Sequence, residues 1–118
     1  MPKTIVNLTM LLVDTEVEYI LGMYPPYPEQ QVFANFDLRQ ELIAYVLSRV
    51  RNVHVTVEEG EESKVSPERF PCLTEIKLQI ENFIHEGIRY VLQKYRNLMH
   101  DYMLEENYGY LKNTHWVN

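Results

Sequence analysis

One stretch limits the fold more than any other. Between Ile76 and Tyr95, apolar side chains recur at Ile76, Ile80, Phe83, Ile84, Ile88, Val91, Leu92 and Tyr95. Steps of three and four residues return to one side of an α-helix, so the spacing predicts a long helix with an unbroken apolar stripe. A helix of about 25 residues is roughly 38 Å long. That exceeds the width of a small domain, so part of it projects or packs against another subunit. Gly87 inside the stripe permits close helix–helix approach, at about 1 kcal/mol relative to alanine.

Two further amphipathic segments need a partner for their apolar faces. Val6, Met10, Val13, Val17 and Ile20 place one face on a helix from Val6 to Leu21, with Thr4 or Asn7 as its cap and Gly22 at its end. A second helix opens at Asp37, where Asp37-Leu38-Arg39-Gln40 fits a capping box. Its face is Leu38, Leu42, Tyr45, Val46 and Val50, and it ends near Val50. Between the two, Met23-Tyr24-Pro25-Pro26-Tyr27-Pro28 is expected not to be helical, because proline lacks an amide hydrogen and pushes its predecessor toward extended geometry. It reads as a stiff connector with its tyrosines packed on the helices, or as a stacking wall for a planar ligand.

Val53 to Val57 alternates as a strand does and must pair with a distant segment or with a second copy of the chain. Glu58 to Ser66 is an exposed acidic loop, its like charges keeping it extended. After Asn97, Met103 and Leu104 are able to dock, and Gly109 is expected to break any further helix. The expected fold is a small, mainly α domain with three principal amphipathic helices and a short β-like segment. The whole chain, 1–118, forms this single domain, with a core of about 3–97 and a C-terminal extension over 98–118.

With 118 residues the chain is the size of one domain. Its 17 acidic and 11 basic residues give a net charge of −6, which argues against direct binding to DNA. No stretch has the roughly 20 apolar residues of a membrane span, and no secretory signal opens the chain. Cys72 is the single cysteine, so a disulfide framework and a multi-cysteine zinc site are both excluded. A cytoplasmic location is expected.

Catalytic templates find no match. The chain has no glycine-rich phosphate loop and no His-Glu-x-x-His helix. Cys72 stands at a helix start, but no histidine is close in sequence to serve as its base. His54, His85, His100 and His115 share no metal-ligand spacing. No enzyme, no metal and no cofactor are expected. One concentration of residues stands out from an otherwise acidic chain: Arg39, Arg49 and Arg51, with Tyr45, Ser48 and Asn52. Either these arginines pair with neighbours such as Glu41, or they form an anion or purine site, since arginine forks onto phosphate and stacks on rings.

The run Leu42-Ile43-Ala44-Tyr45-Val46-Leu47-Ser48-Arg49-Val50-Arg51-Asn52-Val53-His54-Val55 resembles the signature of the late competence protein ComFB family. The opening Lys3-Thr4-Ile5-Val6-Asn7-Leu8 is similar to that of members from oxygenic photosynthetic bacteria, and the resemblance spans roughly residues 3 to 95. It departs in three places. Ser48 replaces an asparagine, Arg51 and Asn52 replace two prolines, and the proline-rich insert takes the place of a zinc-binding cysteine segment. The resemblance implies a helical homodimer that acts as a receptor for cyclic di-GMP or cyclic di-AMP and relays to a transcription factor or a pilus-related protein. It also implies that a structural zinc is absent. Its motif positions assign ligand binding to Lys3, Thr4, Asn7, Tyr45, Ser48 and Arg49. Arg39 joins them on the chemistry of its helix, and Arg51 is left open. A ligand-independent homodimeric interaction module is the alternative.

Overall fold

A computed structural model describes residues 2–112, with side chains through Asn97. The fold is mainly helical, with a two-stranded sheet. Strand β1 (Lys3–Asn7) leads into helix α1 (Leu8–Leu21), helix α2 (Phe36–Leu47) and strand β2 (His54–Glu58), and a long helix α3 (Pro71–Lys112) follows.

The opening residues form a strand, not the first turn of a helix. β1 pairs antiparallel with β2, from Lys3 opposite Glu58 to Asn7 opposite His54. Of the two partners open to the second strand, the distant segment of the same chain is the one it takes. Thr4, Val6, Val55 and Val57 turn inward, while Lys3, Ile5, His54 and Thr56 face out. The helix cannot begin before Leu8 because the Asn7 side chain occupies the cap, accepting from the Met10 amide at 3.0 Å. This start rotates the buried face onto Leu8, Leu12, Val13, Val17, Ile20 and Leu21, leaving Met10 43% exposed. Gly22 ends the helix as the sequence suggests.

Helix α2 begins one residue earlier than Asp37. The Asn35 side chain accepts from the Leu38 amide at 3.1 Å and is the true cap. Asp37 falls in the first turn, where its charge favours the positive end of the helix dipole. The helix stops at Leu47, three residues before Val50, with Ser48 as its C-cap. Between α1 and α2, Pro26–Gln30 does form one wide π-type turn, with Tyr27 extended inside it. The segment is therefore not wholly non-helical. Gln30 holds the turn in place by donating to the carbonyls of Leu21, Gly22 and Tyr24 at 3.2, 3.4 and 2.7 Å. These bonds fasten the turn to the end of α1 and to the residues just after it.

Helix α3 carries the core. Leu73, Ile76, Ile80, Ile84, Ile88, Val91 and Leu92 are buried against α1 and α2, and Phe33 from the connecting segment is buried with them. Pro71 at its first position costs no hydrogen bond. Its 42 residues correspond to about 63 Å. The molecule accordingly measures 62 × 31 × 23 Å. Gly109 does not end the helix, which continues to Lys112. A single interior glycine weakens a helix by about 1 kcal/mol, too little to stop one already propagating. The docking expected of Met103 and Leu104 lies outside the described side chains. No helix among the described residues is long and apolar enough to cross a membrane.

Candidate ligand-binding site

The last turn of α2 gathers the polar residues that matter most. Helical spacing brings Arg49 back over Tyr45, four positions earlier, and its guanidinium carbon lies 3.5 Å from the centre of the ring. Arg49 Nη1 donates to the Tyr45 carbonyl at 2.8 Å and to Ser48 Oγ at 2.9 Å. Ser48 Oγ donates to the same carbonyl at 3.0 Å. A cation here also complements the negative end of the α2 dipole.

Tyr45 is fixed from the other side by α3. Its hydroxyl donates to Glu86 Oε1 at 3.0 Å, and its ring centre is 5.0 Å from that of the exposed Tyr90, tilted by 31°. Partial burial raises the Tyr45 phenol above its ordinary value. The hydrogen bond and charge of Glu86 add to this, and Arg49 opposes it. The phenol is therefore neutral at physiological pH.

Arg49 forms no ion pair among the described residues, where the pairs are made by Lys3, Arg39, Lys64, Lys77 and Lys94. Glu41 takes Lys94, not an arginine, at 3.1 Å. The exposed Ser48 and Arg49 thus place a hydroxyl and a cation, backed by the Tyr45 ring, on one patch of surface.

Asn7 lies beside this turn, but its polar atoms are engaged. Its Oδ1 caps α1, and its Nδ2 donates to Asn52 Oδ1 at 2.9 Å. Asn52 Nδ2 in turn donates to the Leu47 and Val50 carbonyls at 2.9 and 3.0 Å. Asn7 and Asn52 together tie the start of α1 to the end of α2. Thr9, fully buried, does the same for the next residues, donating to the Arg51 carbonyl at 3.0 Å and accepting from the Val53 amide at 2.9 Å.

The remaining residues assigned to the site from the sequence lie elsewhere. Arg39 stands ten residues before Arg49, about 15 Å along the α2 axis. It pairs there with Glu18 of α1, beside a cleft of about 230 Å³ lined by Leu21, Gly22, Gln30, Phe33 and Ala34. Lys3 pairs with Glu58 at 3.2 Å, and Thr4 is half-buried opposite Val57. Lys3 is four residues from Asn7 along β1, roughly 13 Å away. Arg51 is exposed.

Of the two connector tyrosines, Tyr24 packs inward with its hydroxyl in a 2.6 Å hydrogen bond to His85 Nδ1, while Tyr27 points to solvent. Among the described residues no group of three or more His, Cys, Asp and Glu side chains could hold a metal ion. His115, and the His100 side chain, lie outside the described residues. Reading the sequence missed Thr9, Glu86 and Tyr90. An aromatic and an acid four residues apart, off the apolar stripe of α3, were the available signal for the last two.

No protein-family model matches this chain, and neither a curated protein nor a solved structure is found to be similar to it.

Proposed function

We propose that this protein is a receptor for a cyclic purine dinucleotide, cyclic di-GMP or cyclic di-AMP, which it binds without transforming. As a homodimer it would relay the level of that messenger to a transcription factor or a pilus-related protein. One observation carries the reading: Arg49 is stacked on Tyr45 and held by Nη1 alone, so that Nε and Nη2 donate to nothing among the described residues. A guanidinium fixed in plane with free N–H groups is set for a phosphate oxygen or for the acceptor edge of guanine. The sequence resemblance to the ComFB family supports the same ligand class. Binding would alter a partner's affinity only insofar as the ligand favours one of two states of the receptor.

A second reading, a ligand-independent homodimeric interaction module, is favoured by the internal engagement of Lys3, Arg39 and Asn7. Calorimetric titration with both cyclic dinucleotides separates the two. The receptor reading expects saturable heat and, at 100 times the dissociation constant, about 2.7 kcal/mol of added stability. Arg49→Ala should weaken binding by about tenfold or more, since a charged hydrogen bond contributes about 1.5–3 kcal/mol. Arg39→Ala should leave affinity unchanged. Absence of heat and of stabilisation with either nucleotide would leave the second reading in its place.

A further inference from the structure

Three side chains from two helices meet at the Tyr45 ring. The Arg49 guanidinium lies over its face, Glu86 Oε1 accepts from its hydroxyl at 3.0 Å, and the Tyr90 ring stands 5.0 Å away at a tilt of 31°. Tyr45 itself is half-buried, whereas Arg49, Glu86 and Tyr90 are exposed, Tyr90 by 52%. One anchored ring therefore gathers a cation, a carboxylate and an open aromatic surface. The cation stands over the ring face and the carboxylate at its phenolic edge, so the two are apart and do not neutralise each other.

The Glu86 carboxylate is only partly used. Its Oε2 accepts no hydrogen bond among the described residues, and Glu86 makes no ion pair among them. Arg89, three positions on, acts on Tyr24 of the connector, and Lys94, beyond Tyr90, is taken by Glu41. A carboxylate has about four acceptor positions, of which Tyr45 fills one. The two purines differ in what they offer to such a group. Guanine carries two adjacent donors on its Watson–Crick edge, N1–H and the 2-amino group, which a carboxylate accepts side by side as it accepts the fork of arginine. Adenine turns the lone pair of N1 toward it and has only the 6-amino group to donate. An exposed tyrosine ring, by contrast, stacks on either base.

We infer that Glu86 and Tyr90 form the base-recognition half of the Arg49 site and make it selective for guanine, so that cyclic di-GMP is the ligand and cyclic di-AMP is rejected. A guanine stacks on Tyr90 and donates N1–H and its 2-amino group to Glu86, while Arg49 takes a phosphate oxygen. The assignment rests on the receptor function proposed for this protein and narrows its ligand from two purines to one.

Calorimetric titration of the parent, Glu86→Gln, Tyr90→Leu and Tyr90→Phe with each dinucleotide tests this. The parent should bind cyclic di-GMP at least about tenfold tighter than cyclic di-AMP, since a site built to bond a donor rejects the analogue that lacks it. Glu86→Gln keeps an oxygen for the Tyr45 hydroxyl but sets an amide N–H against the guanine donors. It should weaken cyclic di-GMP by about tenfold or more, the loss of a charge-assisted hydrogen bond, and leave cyclic di-AMP unweakened because adenine N1 accepts from an amide. Tyr90→Leu should weaken both ligands alike, and Tyr90→Phe should bind both as the parent does, because the ring and not its hydroxyl is used. Equal affinity of the parent for the two ligands overturns the inference without recourse to any variant. So does a Glu86→Gln protein that keeps the parent's preference for guanine, or a Tyr90→Leu protein that binds as the parent does. Each of these results leaves the receptor reading standing, whereas absence of heat with either dinucleotide removes both.

Discussion

Gly87 of α3 lies against the Tyr45 ring of α2 with no room for a methyl group between them. A Cβ at this position would come 2.9 Å from Tyr45 Cδ1 and 2.8 Å from Leu42 Cδ1. Leu42 is fully buried and the Tyr45 ring is held by Glu86 and Arg49, so neither can withdraw freely. Gly87→Ala gains about 1 kcal/mol of helix propensity. Overpacking a filled interface costs about 1–3 kcal/mol. A net loss of stability is expected, read as a lower urea midpoint with an unchanged slope. A midpoint at or above that of the parent would show that α2 moves away easily. Because the displaced ring is the one beneath Arg49, the variant should also bind cyclic dinucleotides more weakly than the parent.

Thr9 is the least conspicuous residue of the fold and among those with the most to lose. Its hydroxyl is buried and serves both the Arg51 carbonyl and the Val53 amide. Thr9→Val keeps the shape and removes both partners. Each buried polar group left unpaired costs about 1–3 kcal/mol, so the substitution is expected to destabilise by roughly 2–4 kcal/mol. Hydrogen exchange should accelerate first at the Val53 amide. If denaturant melts of the variant and the parent superimpose, water has replaced the hydroxyl and the pinning role is wrong.

The periodic parts of this structure were legible from the sequence. The Ile76–Tyr95 stripe and Gly22 as an ending follow from spacing and local chemistry, and of the two caps open to the first helix, Thr4 and Asn7, the structure takes Asn7. What failed were choices between two nearby options decided at long range. Lys3–Asn7 is a strand because β2 pairs with it, which no local pattern reveals. Asn35 outcompeted Asp37 as the α2 cap, a shift of two residues that a capping-box match cannot resolve. The site divided in the same way. Tyr45, Ser48 and Arg49 are helical neighbours and could be grouped by counting. Arg39 is on the same helix, but its partner Glu18 lies 21 residues away in sequence. Asn7 meets Asn52 only because the chain folds 45 residues back on itself.

Asn7 allows structure and ligand recognition to be told apart. Asn7→Asp keeps an oxygen to accept from the Met10 amide but loses the donor to Asn52 Oδ1. The expected cost is about 1 kcal/mol for one hydrogen bond. Asn7→Ala removes the cap as well, for roughly 1 kcal/mol more. If the residue is wholly structural, the Asn7→Asp protein, still folded, titrates cyclic dinucleotides with the affinity of the parent. Loss of affinity in a variant whose circular dichroism is unaltered would return Asn7 to the ligand site.

Glu16 makes the stability of the fold depend on pH in a direction opposite to that of an ion-paired carboxylate. It is buried between α1 and α3, with Lys77 Nζ 3.8 Å from its Oε2. Burial raises its pKa above the ordinary glutamate value, Lys77 opposes the rise, and the neighbouring Glu81 adds to it. The folded chain therefore keeps this proton to a higher pH than the unfolded chain does. The resulting stabilisation is complete below the unfolded value of about 4.3 and is lost as pH rises through the folded value. Whenever this carboxylate is charged it is poorly solvated and close to the like charge of Glu81. Glu16→Gln removes that burden at the expense of a half-exposed pair with Lys77, an interaction of about 0–1 kcal/mol. The variant should melt above the parent at neutral pH, and the gap should close as both are taken to about pH 4, where Glu16 is itself neutral. Thermal melts at the two pH values decide the matter. A variant less stable at neutral pH, or a gap that does not change with acid, would mean that Lys77 outweighs both the burial and the repulsion from Glu81.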